Sequence, residues 1–275
     1  MASLALTLIQ PDLIWENKQA NLLMLEQKIR EIQAPTQIVV LPEMFSTGFT
    51  MRPELFAESM QGPTVEWMKR IAAEKKVALT GSLIIEEGPD AQGEKRYYNR
   101  LLWILPNGSY GYYDKRHLFA YGGEDSHYTP GHGRLIASVN GWKILLLVCY
   151  DLRFPVWSRQ QIPGDLSGKT TEPEYDLAIY VANWPQRRIH AWKTLLQARA
   201  IENQCYVVGV NRVGSDGNDI YHSGDSMVVD PLGAIQYQKS HEEDVFTCSL
   251  SREVLEEARH KFPFWKDADS FTLHN

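Results

Sequence analysis

Cysteine is scarce in this chain: 275 residues contain three, Cys149, Cys205 and Cys248. An odd count with no Cys-x-x-Cys pair argues against a disulfide scaffold and against a zinc knuckle, and it fits a reducing compartment. Long hydrophobic runs are missing as well. No stretch approaches the roughly 20 apolar residues that a membrane-crossing helix needs. The apolar segment at residues 4–9 is too short for a signal-peptide core and has no basic leader, so the expected setting is cytoplasmic, with no membrane partner. Positive charge is the third absence. Lys and Arg total 28 against 34 Asp and Glu, a formal net charge of -6, and the basic residues are dispersed, which leaves no footprint for nucleic acid. Repeats and low-complexity tracts do not occur either. What is there is a globular composition, 44% hydrophobic and 11% aromatic, able to bury a sizeable core in one large domain or two small ones.

Strand-like and helix-like segments keep exchanging along the chain. Residues 4–9 read as a strand, 17–32 as a helix with Leu22, Leu23, Leu25, Ile29 and Ile32 at near-helical spacing, and 37–41 as a short buried strand. Gly62-Pro63 opens a second helix, since proline is tolerated in a first turn, and residues 77–85 return to strand. Two hairpins follow, 97–105 with 109–113 around Pro106-Asn107-Gly108, and 134–139 with 142–148 around Asn140-Gly141. Asn-Gly between apolar runs is a strong hairpin signal because both residues accept positive φ. Then come a strand at 176–181, a helix at 189–203, a strand at 205–211, a pair at 221–229 and 234–238, a strand at 245–250 and a last helix at 252–261. The pattern implies an α/β fold of mixed sheets covered by helices. The polar segment 161–173 reads as a surface loop, because the alternation resumes after it, so residues 1–275 are expected to form one domain with 262–275 as a C-terminal tail. Its aromatics, Phe262, Phe264 and Trp265, suggest a docked segment, as across a dimer.

Cys149 ends the most hydrophobic of these strands and is followed at once by Tyr150-Asp151-Leu152-Arg153-Phe154-Pro155, a change that exposes its sulfur at a sheet edge. A thiol with a pKa near ~8.5 needs a base or a cation nearby to act as a nucleophile at neutral pH. Two other strand ends supply both: Glu43 stands just after the strand at 37–41, and Lys115 just after that at 109–113. Chain positions this distant converge when their strands end on one rim, where α/β sheets commonly collect ligands.

Leu-Pro-Glu-Met-Phe at 41–45, Asp-Lys-Arg-His-Leu-Phe at 114–119 and Val-Cys-Tyr-Asp-Leu-Arg-Phe-Pro at 148–155 are similar to the three signature segments of the nitrilase, or carbon–nitrogen hydrolase, superfamily. Ala-Arg-Ala-Ile-Glu-Asn at 198–203 and Gly224-Asp225-Ser226 extend the resemblance over nearly the whole chain. It implies a single-domain, four-layer αββα sandwich that forms a homodimer, and a catalytic Glu–Lys–Cys set that falls on Glu43, Lys115 and Cys149. A second glutamate, Glu124 in Gly122-Gly123-Glu124, occupies the place of a further catalytic carboxylate. Under this reading Glu43 takes the thiol proton, Cys149 attacks an amide carbonyl, and Lys115 with the backbone N–H of Tyr150 stabilises the oxyanion. Neither metal nor organic cofactor is required. Cys-Tyr-Asp-Leu-Arg-Phe-Pro together with Asn183-Trp184-Pro185 resembles the ω-amidase branch, whose small-molecule substrates are monoamides of short dicarboxylic acids such as 2-oxoglutaramate and succinamate. The distal carboxylate of such a substrate calls for a guanidinium, for which Arg187 and Arg188 are the candidates, and aromatic walls are expected from Phe119, Tyr121, Tyr150 and Trp184.

Several residues have plainer readings. Cys205 and Cys248 read as small buried hydrophobes. His117, His127 and His132 lack the spacing that would aim metal ligands together, and Gly131-His132-Gly133, lacking a third glycine and a following helix, reads as a loop shaping the pocket rim. Two rival functions are an acyltransferase, in which an amine intercepts the thioester, and a non-catalytic interaction module, which would be expected to have lost Glu43, Lys115 or Cys149.

Overall fold

The computed structural model describes residues 3–89, 93–160, 172–269 and 271–273. In the first half, β1 (Leu4–Gln10), α1 (Lys18–Arg30), β2 (Ile38–Val40), the single turn α2 (Pro53–Phe56), α3 (Pro63–Lys75), β3 (Ala78–Glu87), β4 (Arg96–Ile104) and β5 (Tyr110–Asp114) follow one another. The second half runs β6 (Leu135–Val139), β7 (Trp142–Val148), a 3-10 turn Cys149–Arg153, α4 (Pro155–Ser158), β8 (Leu177–Val181), α5 (Ile189–Asn203), β9 (Tyr206–Val210), β10 (Val213–Ser215), β11 (Tyr221–Val229), β12 (Ile235–Ser240), β13 (Asp244–Leu250) and α6 (Arg252–Lys261). The expected strands and helices are present within a residue or two of their expected ends. The three-residue β10 and the short helices were not foreseen, being too brief to show a period. Of the expected loop at 161–173, residues 161–171 lie outside the described residues.

Two mixed sheets result. One is ordered β13-β1-β2-β3-β4-β5, the other β10-β11-β9-β8-β7-β6 with β12 on β11. Each has a parallel centre, β1-β2-β3 and β7-β8-β9, flanked by antiparallel strands. The central strands are apolar on both faces because both faces are covered. Leu4, Leu6 and Leu8 of β1 and Ile38 and Val40 of β2 meet Ile144, Leu146 and Val148 of β7 in the core that includes the space between the sheets. Their neighbours Ile9 and Val39 turn the other way, against Leu25 and Ile29 of α1 and Val65, Met68 and Ile71 of α3. On the far side Trp192, Leu196 and Ala200 of α5 and Leu255 of α6 close the second sheet. The layers are therefore helix, sheet, sheet, helix, as expected. A fully buried leucine such as Leu6 contributes about 2–5 kcal/mol by the cost of cutting it to alanine.

Local chemistry sets the turns. Asn140 and Gly141 both have positive φ, 48° and 78°, as the two-residue turn between β6 and β7 requires. Asn17 caps α1, its side chain accepting from the Ala20 N–H. The C-terminal tail docks on its own chain: Gln204 donates to the Phe262 carbonyl at 2.6 Å and accepts from the Trp265 N–H at 3.0 Å. Phe264 nevertheless stays exposed. Among the described residues, no helix is long and apolar enough to cross a membrane.

Candidate active site

Three parallel or antiparallel strands deliver the chemistry to one rim. β2 ends three residues before Glu43, β5 ends immediately before Lys115, and β7 ends immediately before Cys149. Cys149 adopts positive φ, 44°, at the sharp change from strand to 3-10 turn, which lifts its side chain off the sheet edge. The leading N–H groups of such a turn, Tyr150's among them, have no partner within the turn.

Asp151 holds this elbow in shape. One carboxylate oxygen accepts from the Val148 N–H at 3.0 Å and the Tyr113 hydroxyl at 2.8 Å; the other lies 2.8 Å from His117 Nδ1 and accepts from the His117 N–H at 3.1 Å. Trp157 donates to the same Tyr113 hydroxyl at 2.9 Å. One buried carboxylate thus ties the segment carrying Lys115 to the segment carrying Cys149. Gly131 backs the arrangement: a Cβ there would lie 2.1 Å from the Asp114 carbonyl, and its N–H bonds the Lys115 carbonyl at 3.0 Å. The Gly131-His132-Gly133 segment therefore packs behind the lysine. It does not line the pocket rim as expected, because the close approach of two backbones claims Gly131.

Glu43, Lys115 and Glu124 are sealed from solvent. Lys115 Nζ donates to Glu43 Oε1 at 2.9 Å and to Glu124 Oε2 and Oε1 at 2.8 and 3.0 Å. Asn99, on β4, spans both carboxylates from the side, donating to Glu43 Oε1 at 2.8 Å and Glu124 Oε1 at 3.1 Å. The Asn183 backbone N–H fixes Glu43 Oε2 at 2.8 Å, and the Phe119 N–H fixes Glu124 Oε2 at 2.6 Å. Burial opposes the charge of Lys115, but the carboxylates of Glu124 and Glu43 overcome it and hold the ammonium well above its ordinary pKa. Burial, reinforced by Glu43, pushes the Glu124 carboxyl up, while Lys115 pulls it back. The Cys149 thiol is raised well above its usual value by burial and by the Glu43 carboxylate it bonds to, so it rests protonated beside that carboxylate. The cluster carries two carboxylates and one ammonium against a neutral thiol, an arrangement suited to taking the thiol proton as the sulfur attacks.

The cavity in front of Cys149 has a volume of about 270 Å³. Glu43, Lys115 and Cys149 line it; Phe119, Tyr121, Tyr150 and Trp184 line it as expected, and Arg153, Arg187 and Arg188 line both it and an adjoining space that Glu43, Lys115 and Cys149 do not line. Arg188 is half-buried and Arg187 exposed. Glu124 touches the cavity only through Lys115 and Glu43. Asn99, the anchoring of Glu43 by Asn183, the tether at Asp151, and the pocket positions of Arg153 and His222 escaped the sequence reading. For Arg153 the signal was present, since it lies inside the quoted cysteine segment.

The profile of the carbon–nitrogen hydrolase family matches residues 5–260. Omega-amidase YafV of Escherichia coli K12 is 44% identical over 275 residues, 99% of this chain and 100% of that one. This chain belongs to the carbon–nitrogen hydrolase family. Within it the full-length similarity places the chain in the omega-amidase branch, and a 2-oxoglutaramate amidase of Bacillus subtilis is 28% identical over 94% of this chain and 95% of its own. Among solved structures, a carbon–nitrogen hydrolase superfamily protein from Xanthomonas campestris, with an arsenic adduct in its active site, superposes with a TM-score of 0.92 at 41% identity over 100% of both chains. Nit3 of Saccharomyces cerevisiae superposes with a TM-score of 0.79 at 25% identity, over 95% of this chain and 94% of its own. The protein is accordingly a carbon–nitrogen hydrolase.

Proposed function

We propose that this carbon–nitrogen hydrolase removes the terminal amide of a short dicarboxylic acid monoamide, of the 2-oxoglutaramate or succinamate type, through a thioester on Cys149. The observation that carries the reading is a pocket with opposite ends: a buried Glu43–Lys115–Glu124 cluster against a thiol, and guanidinium groups facing it across aromatic walls. The names of the Escherichia coli and Bacillus subtilis relatives agree with it.

The carboxamide lies over Cys149 with its oxygen toward Lys115 Nζ and the Tyr150 N–H. As the Sγ–C bond forms, the thiol proton passes to Glu43, and the oxyanion is met by a preorganised ammonium in a dry site. Glu43 returns that proton to the nitrogen, the C–N bond breaks and ammonia leaves. Water then attacks the thioester with Glu43 as its base; the C–S bond breaks, the sulfur regains a proton and the carboxylate product departs. Glu124 and Asn99 hold Lys115 and Glu43 in register throughout. The distal carboxylate is received by Arg188 and Arg153, whose planar forks match it in two-point geometry. An arsenic adduct in the active site of the Xanthomonas relative is consistent with a soft nucleophile such as the Cys149 sulfur.

The test is ammonia release from 2-oxoglutaramate and succinamate, with mass spectrometry of the Cys149 peptide after rapid acid quench. Release with an acylated Cys149 is expected; release surviving Cys149→Ala would overturn the mechanism. Pairing of two chains through the apolar surface that Ile201, Leu232 and Phe264 leave open belongs to the same proposal, and the mass in solution, with and without the residues after Lys261, checks it.

A further inference from the structure

Outside the inner pocket lies a second, outer chamber of about 470 Å³, lined by Phe119, Tyr121, Tyr150, Arg153, Arg187 and Arg188. All six residues also line the inner cavity, so the two spaces communicate. No carboxylate is among them, and among the described residues none of the three arginines forms an ion pair. In a chain with a formal net charge of -6, this is a local concentration of positive charge.

Two of the three arginines, Arg188 and Arg153, lie over aromatic faces. Arg188 Cζ stands 5.0 Å from the Phe119 ring centre and Arg153 Cζ 4.9 Å from that of Trp184. Phe119 is itself packed against Tyr150 at 5.0 Å and Tyr121 at 5.8 Å. Burial and the neighbouring Arg187 and Arg153 both work against the charge on Arg188, whose pKa is lowered. Gathering like charges without a counter-ion costs folding energy, and a ligand anion offsets that cost. One distal carboxylate engages one fork side-on and a second end-on. Arg187, exposed at the outer edge, is left over.

We propose that the outer chamber is a second anion subsite, so that the enzyme prefers monoamides whose acyl chain ends in two acidic groups over those ending in one. The inference rests on the amidase reading of the inner pocket. Arg188 and Arg153 take the first carboxylate and Arg187 the second.

The experiment compares glutaramate with 2-carboxyglutaramate, which differs by one added carboxylate, and with the methyl ester of that added group as a neutral match in size. Binding to the Cys149→Ala protein is measured by calorimetry, so that the subsite is decided whether or not hydrolysis occurs. The dianion is expected to bind about tenfold tighter than glutaramate, as one further charge-assisted contact gives. The neutral ester should show no such gain. The gap should close in Arg187→Gln, persist in part in Arg187→Lys, and shrink as salt rises and screens an exposed charge. Equal binding of glutaramate and the dianion, an equal gain from the ester, or a gap untouched by Arg187→Gln would each overturn the subsite. Ammonia release by the wild type bears on the amidase reading alone: release from glutaramate without a binding preference sinks the subsite and spares that reading.

Discussion

The two ends of the pocket are built on opposite terms. At the inner end, Glu43, Lys115 and Glu124 are buried, and Asn99, Asn183 and Phe119 complete their hydrogen bonds. At the outer end, Arg153, Arg187 and Arg188 are half-buried or exposed, and Arg153 and Arg188 have aromatic faces in place of carboxylates. Groups that must be poised for proton transfer are fixed by strand ends and by one another, so removing any of them disturbs the rest. Groups that choose the substrate sit on a turn and a helix start, where each acts more nearly alone. The difference teaches where chemistry and specificity divide along a cavity of about 270 Å³.

Breaking the inner end should have the largest consequence. Cys149→Ala removes the proposed nucleophile, and ammonia release from 2-oxoglutaramate is expected to fall by at least about 10⁴-fold, or some 5 kcal/mol of transition-state stabilisation. A residual rate above one per cent would show that the sulfur is not the attacking atom. Lys115→Met tests the cooperative side of the comparison. It leaves Glu43 and Glu124 buried without their shared cation, at about 3–5 kcal/mol of stability, read from urea midpoints. If the midpoint does not move, the cluster is not the interlocked unit described here.

His222 offers a sharper probe between the two ends. It lines the same cavity from β11, is almost fully buried, and its pKa is lowered to about 4 by burial and by the nearby Arg212. Between about 4 and the ordinary value of 6.5 the unfolded chain binds a proton that the folded one refuses. Stability therefore falls as pH drops through that window, by about 3 kcal/mol at its lower end. In His222→Gln the difference in urea stability between pH 7 and pH 4.5 should shrink accordingly, since the titration of other groups is common to both proteins. An unchanged difference would rule out a buried neutral histidine there.

What the sequence revealed follows the same division. Cys149, Glu43 and Lys115 were legible because each follows an apolar run, a pattern that physics ties to a sheet edge. Glu124 was legible only through the resemblance to a known family; its 3-10 turn has no period to read. Asn99 was hidden because an amide inside a strand announces nothing, and its partner Glu43 is 56 residues away in the chain. The tether at Asp151 was hidden for the same reason, joining β7 to β5 across 38 residues. Gly131 misled: the Gly-His-Gly segment suggested a loop shaping the pocket rim, whereas the constraint is backbone packed against backbone behind Lys115. Mixed sheets covered by helices were readable from alternation, the four layers only from the family resemblance, and the strand order not at all; the three-residue β10 was too short to register.

Arg188 carries the smallest of these effects and the one that tells the ends apart. The contact proposed for it with a distal carboxylate would be the same before and during reaction, contributing uniform binding rather than transition-state binding. Arg188→Gln should then raise KM for 2-oxoglutaramate about tenfold while kcat stays near the wild-type value. Arg188→Lys keeps the charge but loses both the fork and the guanidinium contact over Phe119, so it should recover only part of the loss. Full recovery would mean that charge alone is recognised at the outer end. A fall in kcat matching the loss in kcat/KM would mean that this guanidinium acts on the transition state, and the division between a chemical end and a selecting end would have to be redrawn through Arg188.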